Sequence, residues 1–165
     1  MINTDRLILE PLSANESAFL IELINTDGWK KYIGTRNIHT AEEASVYIKK
    51  YSEDKNTSIL SVKLKETKLP VGIITILKRD YLKHKDIGFA FLPEYTRKGY
   101  AYEASSAVLK DLKKKNKNEL IEAITVPENV SSISLLNKLG FEYDKEILVD
   151  KKTMCVYILD QQMSC

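Results

Sequence analysis

One junction constrains the fold of this chain more than any other feature, and it spans Pro93–Ala104 with the sequence PEYTRKGYAYEA. The segment joins an apolar run ending at Leu92 to an amphipathic pattern that predicts a helix. Gly99 lies at the junction, directly after Arg97 and Lys98. The first N–H groups of a helix lack intrahelical partners, and glycine lets a backbone approach an anion closely. The segment therefore predicts a strand–turn–helix unit suited to a diphosphate, with a tight turn bearing solvated basic residues as the alternative.

Hydrophobic periodicity and turn residues predict the element order β-α-α-β-β-β-α-β-α-β-β around one mostly antiparallel sheet. This order places the chain in the α/β (α+β) class. Capping boxes at Ser13–Glu16 and Thr40–Glu43 start the first two helices. β-Branched runs at Ser58–Leu64 and Val71–Leu77 predict a hairpin, whereas the polar and aromatic segment 27–39 predicts a loop.

Length and charge exclude several classes of protein. The 165 residues suit one domain spanning 1–165, and a net charge of +2 is too small to indicate binding to nucleic acid or a membrane surface. The basic cluster Lys110–Lys117 falls at a helix end, where cations complement the helix dipole. Only two cysteines occur, Cys155 and Cys165, and their spacing suggests neither a disulfide nor a metal site. Because no apolar run reads as a signal peptide or a membrane span, we expect a cytoplasmic protein.

A second motif, Asn129–Phe141 with the sequence NVSSISLLNKLGF, pairs a polar helix start with a glycine stop. Together with Pro93–Ala104 and the opening strand Asp5–Leu12, it resembles the GNAT superfamily of acyl-CoA-dependent N-acetyltransferases. The similarity is greatest to the ribosomal-protein-alanine-N-acetyltransferase-like branch and extends from about residue 5 to the C-terminus. It implies a GNAT-like fold, in which a single mixed sheet carries helices on both faces.

The resemblance implies acetyl-CoA as cosubstrate and no metal. Two central strands would splay apart at a bulge, with the pantetheine arm along Phe89–Leu92 and the diphosphate on the backbone amides of Arg97–Ala101. Asn129 would bind the pantetheine arm, cap the helix that it starts, or do both. Glu103 is expected to order the helix start. The cofactor-binding residues implied in this way are Phe91, Leu92, Arg97, Lys98, Gly99, Tyr100, Ala101 and Asn129.

Two residues are candidates for catalysis. Asp86 lies where relatives often carry a glutamate, and a carboxylate there can accept a proton from the amine, directly or through water; the alternative is a solvated strand-edge aspartate beside Lys85. Ser132 can meet the cofactor sulfur or satisfy helix backbone. The tyrosine that relatives use as general acid is replaced by Leu136, although a thiolate with a pKa of about 8.5 can leave without a strong acid.

The loop that holds Trp29 and Tyr32 covers the acceptor site in relatives. These two aromatic residues are therefore expected to bind the acceptor amine, or else to staple the loop onto the core. The function implied is direct acetyl transfer to a primary amine, which is a protein N-terminus or a small molecule. A GNAT-fold module that binds acyl-CoA without turnover is the alternative, and a homodimer is compatible with the resemblance.

Overall fold

The computed structural model describes residues 1–116 and 119–160. The strands are β1 (Ile2–Asn3), β2 (Leu7–Pro11), β3 (Thr57–Leu64), β4 (Pro70–Lys78), β5 (Lys85–Phe91), β6 (Leu120–Thr125), β7 (Glu142–Val149) and β8 (Lys152–Asp160). The helices are α1 (Ser17–Ile24), α2 (Asp27–Tyr32), α3 (Ala41–Glu53), α4 (Tyr100–Lys115) and α5 (Val130–Lys138). Two short 3₁₀ turns, Ala14–Glu16 and Pro93–Tyr95, precede α1 and α4.

All the strands belong to one sheet with the spatial order β1-β2-β3-β4-β5-β6-β8-β7. Each neighbouring pair is antiparallel except β5 and β6, which run parallel because α4 carries the chain back across the sheet between them. The expectation of one mostly antiparallel mixed sheet is thus confirmed.

Helices cover both faces of the sheet, and the alternation of side chains along β4 shows how. Ile74 packs in a cluster that includes Val108 of α4, whereas its neighbour Ile73 packs in a second cluster with Leu23 of α1 and Trp29 of α2. Successive residues of a strand point to opposite faces, so the two clusters lie on opposite sides of the sheet. We call them the α4 cluster and the α1 cluster.

The structure departs from the expected element order in two places. A two-residue strand, β1, precedes the first predicted strand, and α2 occupies the first half of segment 27–39, so the loop prediction is wrong there. Thr26 caps α2 by accepting a hydrogen bond from the Trp29 backbone N–H at 3.3 Å. Because α2 has only six residues, it is too short to display helical periodicity in the sequence.

The predicted caps and hairpins are present. Thr40 and Glu43 exchange the two hydrogen bonds of a capping box, and β3 pairs with β4 as expected. None of the helices within residues 1–116 and 119–160 combines the length and the apolar character required to cross a bilayer. Lys117 of the basic cluster and Cys165 lie outside the described residues, and Cys155 is a buried free thiol.

Candidate active site

The sheet is divided between β5 and β6. These parallel strands pair only at Lys85 with Ile121 and at Asp86 with Glu122. Beyond Asp86, β5 stays paired with β4 up to Phe91 and has no ladder to β6. One edge of β5 therefore keeps backbone N–H and C=O groups that another extended chain could pair with.

The splay expected from the resemblance is present, but the bulge is not seen at this position. The described residues of β4 and β5 pair in one continuous register from Gly72 with Phe91 to Lys78 with Lys85. The gap arises because the parallel partner diverges after two residue pairs. The Leu92 side chain is buried in the α1 cluster, its N–H donates to the Val71 carbonyl at 2.9 Å, and its own carbonyl accepts from the Tyr95 N–H at 2.9 Å. The prediction that Leu92 binds the cofactor is therefore disfavoured, because its side chain and both backbone groups are already engaged.

The free edge of β5 leads directly into the turn before α4. Arg97 and Gly99 both have positive φ angles, +59° and +82°, and Gly99 is the N-cap of the sixteen-residue helix α4. The first intrahelical bond runs from the Glu103 N–H to the Gly99 carbonyl at 3.0 Å. The amides of the residues between them belong to the first turn and lack an intrahelical partner, which is the arrangement that suits an anion.

The basic side chains of this turn, Arg97 and Lys98, are exposed to solvent. Lys98 Nζ lies 5.3 Å from the centre of the Tyr95 ring. Because both side chains are exposed, Arg97 and Lys98 can reach an anion on the surface of the turn. The structure brings together the predicted residues Arg97–Ala101 in one turn at the end of β5.

The second motif, Asn129–Phe141, begins on the other side of the gap, in the turn that joins β6 to α5. Asn129 is the N-cap of α5, and its Oδ1 accepts a hydrogen bond from the Ser132 N–H at 3.2 Å. The capping role of Asn129 is thus confirmed, and its side-chain NH₂ group is still a donor for a ligand. This bond satisfies the Ser132 N–H at the start of the helix, the second of the two roles predicted for Ser132.

Asp86 lies at the root of the splay and is only 2% exposed. Its Oδ1 accepts a hydrogen bond from Arg79 Nε at 3.0 Å, and Arg79 Nη1 also donates to the Tyr81 hydroxyl at 3.0 Å. Burial raises the pKa of Asp86 above its ordinary value, the Glu122 carboxylate adds to this, and Arg79 lowers the pKa by less. The alternative of a solvated strand-edge aspartate is wrong, because Asp86 is buried and paired with Arg79 rather than lying in solvent beside Lys85.

Glu122 is a second buried carboxylate at the same point of the sheet. It is the β6 residue that pairs with Asp86, and its Oε2 accepts a hydrogen bond from the His84 backbone N–H at 2.7 Å. Residues on the loop between β4 and β5 thus bind both carboxylates. The sequence reading missed Arg79 and Glu122, because no local motif links either residue to Asp86.

Leu136 occupies the position of the general-acid tyrosine of relatives, and it is almost fully buried in the α4 cluster. Its side chain therefore contributes to the core and not to a surface that a ligand could contact. Among the residues that the structure describes, no group of three or more His, Cys, Asp or Glu side chains is arranged to hold a metal ion.

A cleft of about 410 Å³ lies beyond the end of β6 and opens to solvent. It is lined by Lys31, Tyr32, Val126, Glu128, Lys152 and Thr153. Tyr32, for which the resemblance implies a place at the acceptor site, lines this cleft. Trp29 is buried in the α1 cluster. Its burial favours the alternative in which Trp29 anchors its segment to the core, rather than a contact with the acceptor. The other lining residues lie on α2, on the turn between β6 and α5, and on β8, so no spacing in the sequence groups them.

Comparison with known proteins agrees with this geometry. The family model of the acetyltransferase (GNAT) domain matches residues 6–142. The Bacillus subtilis protein named uncharacterized N-acetyltransferase YnaD is 30% identical over 140 residues, which cover 84% of this chain and 81% of that protein. A GNAT-family acetyltransferase from Bacillus anthracis superposes with a TM-score of 0.82 at 26% identity and 98% coverage of both chains.

Spermidine N-acetyltransferase from Vibrio cholerae, solved in complex with CoA and spermine, shares the fold with a TM-score of 0.82. It is 16% identical and covers 96% of this chain and 98% of its own. The divided sheet and these relatives define the protein as an N-acetyltransferase, an enzyme that transfers acyl groups. The chain belongs to the GNAT acetyltransferase family, since the family model spans most of its length.

Proposed function

We propose that this enzyme transfers the acetyl group of acetyl-CoA directly to a primary amine, without a covalent enzyme intermediate. One observation carries the proposal. The unpaired edge of β5 and the N-terminus of α4 lie on one continuous segment, from Ile87 to Ala101. A pantetheine arm needs an extended backbone to pair with, and a diphosphate needs convergent N–H donors. The segment offers both, in the order in which they occur along CoA.

The residues present fit this cosubstrate. The edge of β5 up to Phe91 would hold the pantetheine arm, the amides from Gly99 to Ala101 would hold the diphosphate, and the Asn129 side-chain amide would bind the arm from the other side of the gap. Acetyl-CoA supplies an activated acyl group on a thiol whose pKa is about 8.5. Because Leu136 is buried, departure of this thiol relies on water or on Ser132 instead of a tyrosine.

Asp86 would accept the proton of the acceptor amine. An alkyl amine is mostly protonated at neutral pH, since its pKa is about 10.4, or about 8 for a protein N-terminus. Burial raises the pKa of Asp86 and makes it a better proton acceptor than an ordinary aspartate. Because the side chain is buried beneath the loop that holds Arg79, the proton would travel through water.

The acceptor would enter through the cleft beyond β6, and we favour a protein N-terminal amine over a polyamine. Tyr32 and Val126 offer apolar contacts to a side chain, Glu128 can pair with an ammonium group, and a cleft open to solvent admits a chain end. Lys31 and Lys152 line the same cleft, and they would repel a polycation. The resemblance to the branch that modifies ribosomal proteins supports the same acceptor.

A binding module without turnover is the second candidate, favoured by the burial of Leu136 in place of the family's tyrosine. An assay that follows thiol release from acetyl-CoA separates the two functions. The acceptors would be peptides with free N-termini, the same peptides with blocked N-termini, and polyamines. Turnover with free peptides alone supports the proposal, and turnover with polyamines alone corrects the acceptor. Tight binding of CoA without turnover on any amine would establish the binding module.

A further inference from the structure

We propose that Arg6 is a positioning residue for acetyl-CoA, which it serves by holding the turn before α4 in its binding shape. The inference rests on the proposed function, because it concerns the site assigned there to the diphosphate. Arg6 directly precedes β2, and its Nη1 donates a hydrogen bond to the Lys98 carbonyl at 3.0 Å.

 The sequence separation between Arg6 and Lys98 is 92 residues, so only the folded chain brings this contact about.

The same guanidinium also holds the first turn of α4. Arg6 Nε and Nη2 both lie 2.7 Å from Glu103 Oε2. Glu103 Oε1 accepts hydrogen bonds from the Arg6 backbone N–H at 2.9 Å and from the Thr4 hydroxyl at 2.6 Å. Both carboxylate oxygens are thus bound by the segment before β2. The expectation that Glu103 orders the helix start is confirmed, and Arg6 is its main partner.

The bond to the Lys98 carbonyl determines which way the next amide points. In a planar trans peptide, the C=O of one residue and the N–H of the next point in opposite directions. Because Arg6 binds the Lys98 oxygen, the Gly99 N–H of the same peptide points away from Arg6. If this peptide flipped, a carbonyl would replace the amide and repel a diphosphate. Arg97 and Gly99, on either side of Lys98, both have positive φ angles, and this left-handed conformation is unfavourable for a residue with a side chain such as Arg97.

Arg6 acts here through the turn and not as a ligand of the diphosphate. Its Nε, Nη1 and Nη2 atoms are all engaged within the protein, and the guanidinium lies 4.6 Å from the centre of the Tyr100 ring. This distinction can be tested with Glu103. If Arg6 bound the phosphates itself, removing the Glu103 charge would free Arg6 and leave CoA affinity unchanged or higher. If Arg6 instead acts as a brace, meaning that it holds the turn in shape through Glu103 and the Lys98 carbonyl, the same change weakens CoA binding.

The experiment compares Arg6→Gln, Glu103→Gln and the control Lys65→Met in the full chain. Lys65 Nζ donates to the Thr4 carbonyl at 2.8 Å, so it contacts the same segment without contacting the turn. Each protein is assayed with acetyl-CoA and with acetyl-pantetheine, which lacks the diphosphate. We expect the two brace variants, Arg6→Gln and Glu103→Gln, to raise the KM for acetyl-CoA by roughly tenfold at a nearly unchanged kcat. This change corresponds to a loss of about 1.4 kcal/mol of binding free energy. Their kinetics with acetyl-pantetheine should match those of the wild type.

The outcomes separate this inference from the proposed function. If the wild type neither binds CoA nor uses it, the proposed function fails. If the wild type uses acetyl-CoA and both brace variants keep its KM within twofold, the inference is overturned. Equal losses with both donors, together with a lower melting temperature, would also overturn it, because Arg6 would then merely stabilise the fold. A weakened Arg6→Gln beside an unaffected Glu103→Gln would make Arg6 a direct phosphate ligand and refute the brace.

Discussion

Replacing Asp86 with asparagine tests the chemistry of the site most directly. The side chain keeps its size and can still accept the hydrogen bond from Arg79 Nε, which lies 3.0 Å from Asp86 Oδ1. The change therefore removes proton-accepting capacity while leaving the packing nearly intact. We expect kcat to fall by roughly 10²–10⁴-fold, the usual contribution of a general base, which corresponds to about 2.7–5.5 kcal/mol in activation free energy. The KM for acetyl-CoA should stay within about twofold of the wild-type value.

The role of Asp86 as a base also predicts the direction in which kcat changes with pH. Because burial raises the pKa of Asp86, the acidic limb of the wild-type kcat profile should lie above the ordinary aspartate value of 3.8. Activity is lost as the pH falls through the raised pKa, since the protonated carboxyl cannot accept another proton. The Asp86→Asn variant should lack this limb and should regain part of its rate at high pH, where more of the amine is already neutral.

A variant of Arg79 provides the matched test. Arg79 lowers the pKa of Asp86, so Arg79→Gln should move the acidic limb to higher pH while Asp86 still supports turnover. The assay is steady-state thiol release measured from about pH 5 to 9 for the wild type and both variants. A limb that stays in place in Arg79→Gln, or an Asp86→Asn variant within twofold of the wild type at neutral pH, would show that Asp86 is not the base.

Three further outcomes are expected. Gly99→Glu should abolish CoA binding in calorimetry and lower the stability by about 1–2 kcal/mol, because Gly99 has a φ of +82° and an added Cβ would lie 3.2 Å from Arg6 Nη2. The control variant Gly28→Glu, whose added Cβ would meet open space, should bind CoA normally. Tyr32→Ala should raise the KM of the acceptor amine by roughly tenfold, or about 1.4 kcal/mol, with no change for acetyl-CoA, and equal shifts for both substrates would refute a role in the acceptor cleft. Leu136→Tyr should lower the free energy of unfolding in urea by about 1–3 kcal/mol without raising kcat, because Leu136 is buried in the α4 cluster; a faster enzyme would show that the tyrosine can reach the active site.

Much of the fold could be predicted because its signals are local. The capping box at Thr40–Glu43 and the β-branched runs of β3 and β4 act over a few residues, and the structure confirms them. The prediction failed at α2, where six residues capped by Thr26 are too few to show a period. The strand β1 was also missed, since two residues carry no alternation and depend on pairing with β2.

The parts of the candidate site that could be predicted are likewise the ones with local signals. The turn at Gly99 and the cap at Asn129 are legible in the sequence, because a glycine with a positive φ and a helix N-cap each follow from the backbone of a few neighbouring residues. These two motifs were sufficient to predict the family, and they mark the region that we propose for the cosubstrate.

Only the tertiary structure decided how these parts act together. The gap between β5 and β6 depends on where two strands separated in sequence cease to pair, and the burial of Asp86 under Arg79 depends on how the loop between β4 and β5 folds back. The contact of Arg6 with Glu103 joins residues 97 positions apart. Sequence patterns report forces that act between near neighbours, whereas burial, ion pairing and pKa depend on what surrounds a group in three dimensions. The family could therefore be predicted from the amino-acid sequence, and the buried environment of Asp86 could not.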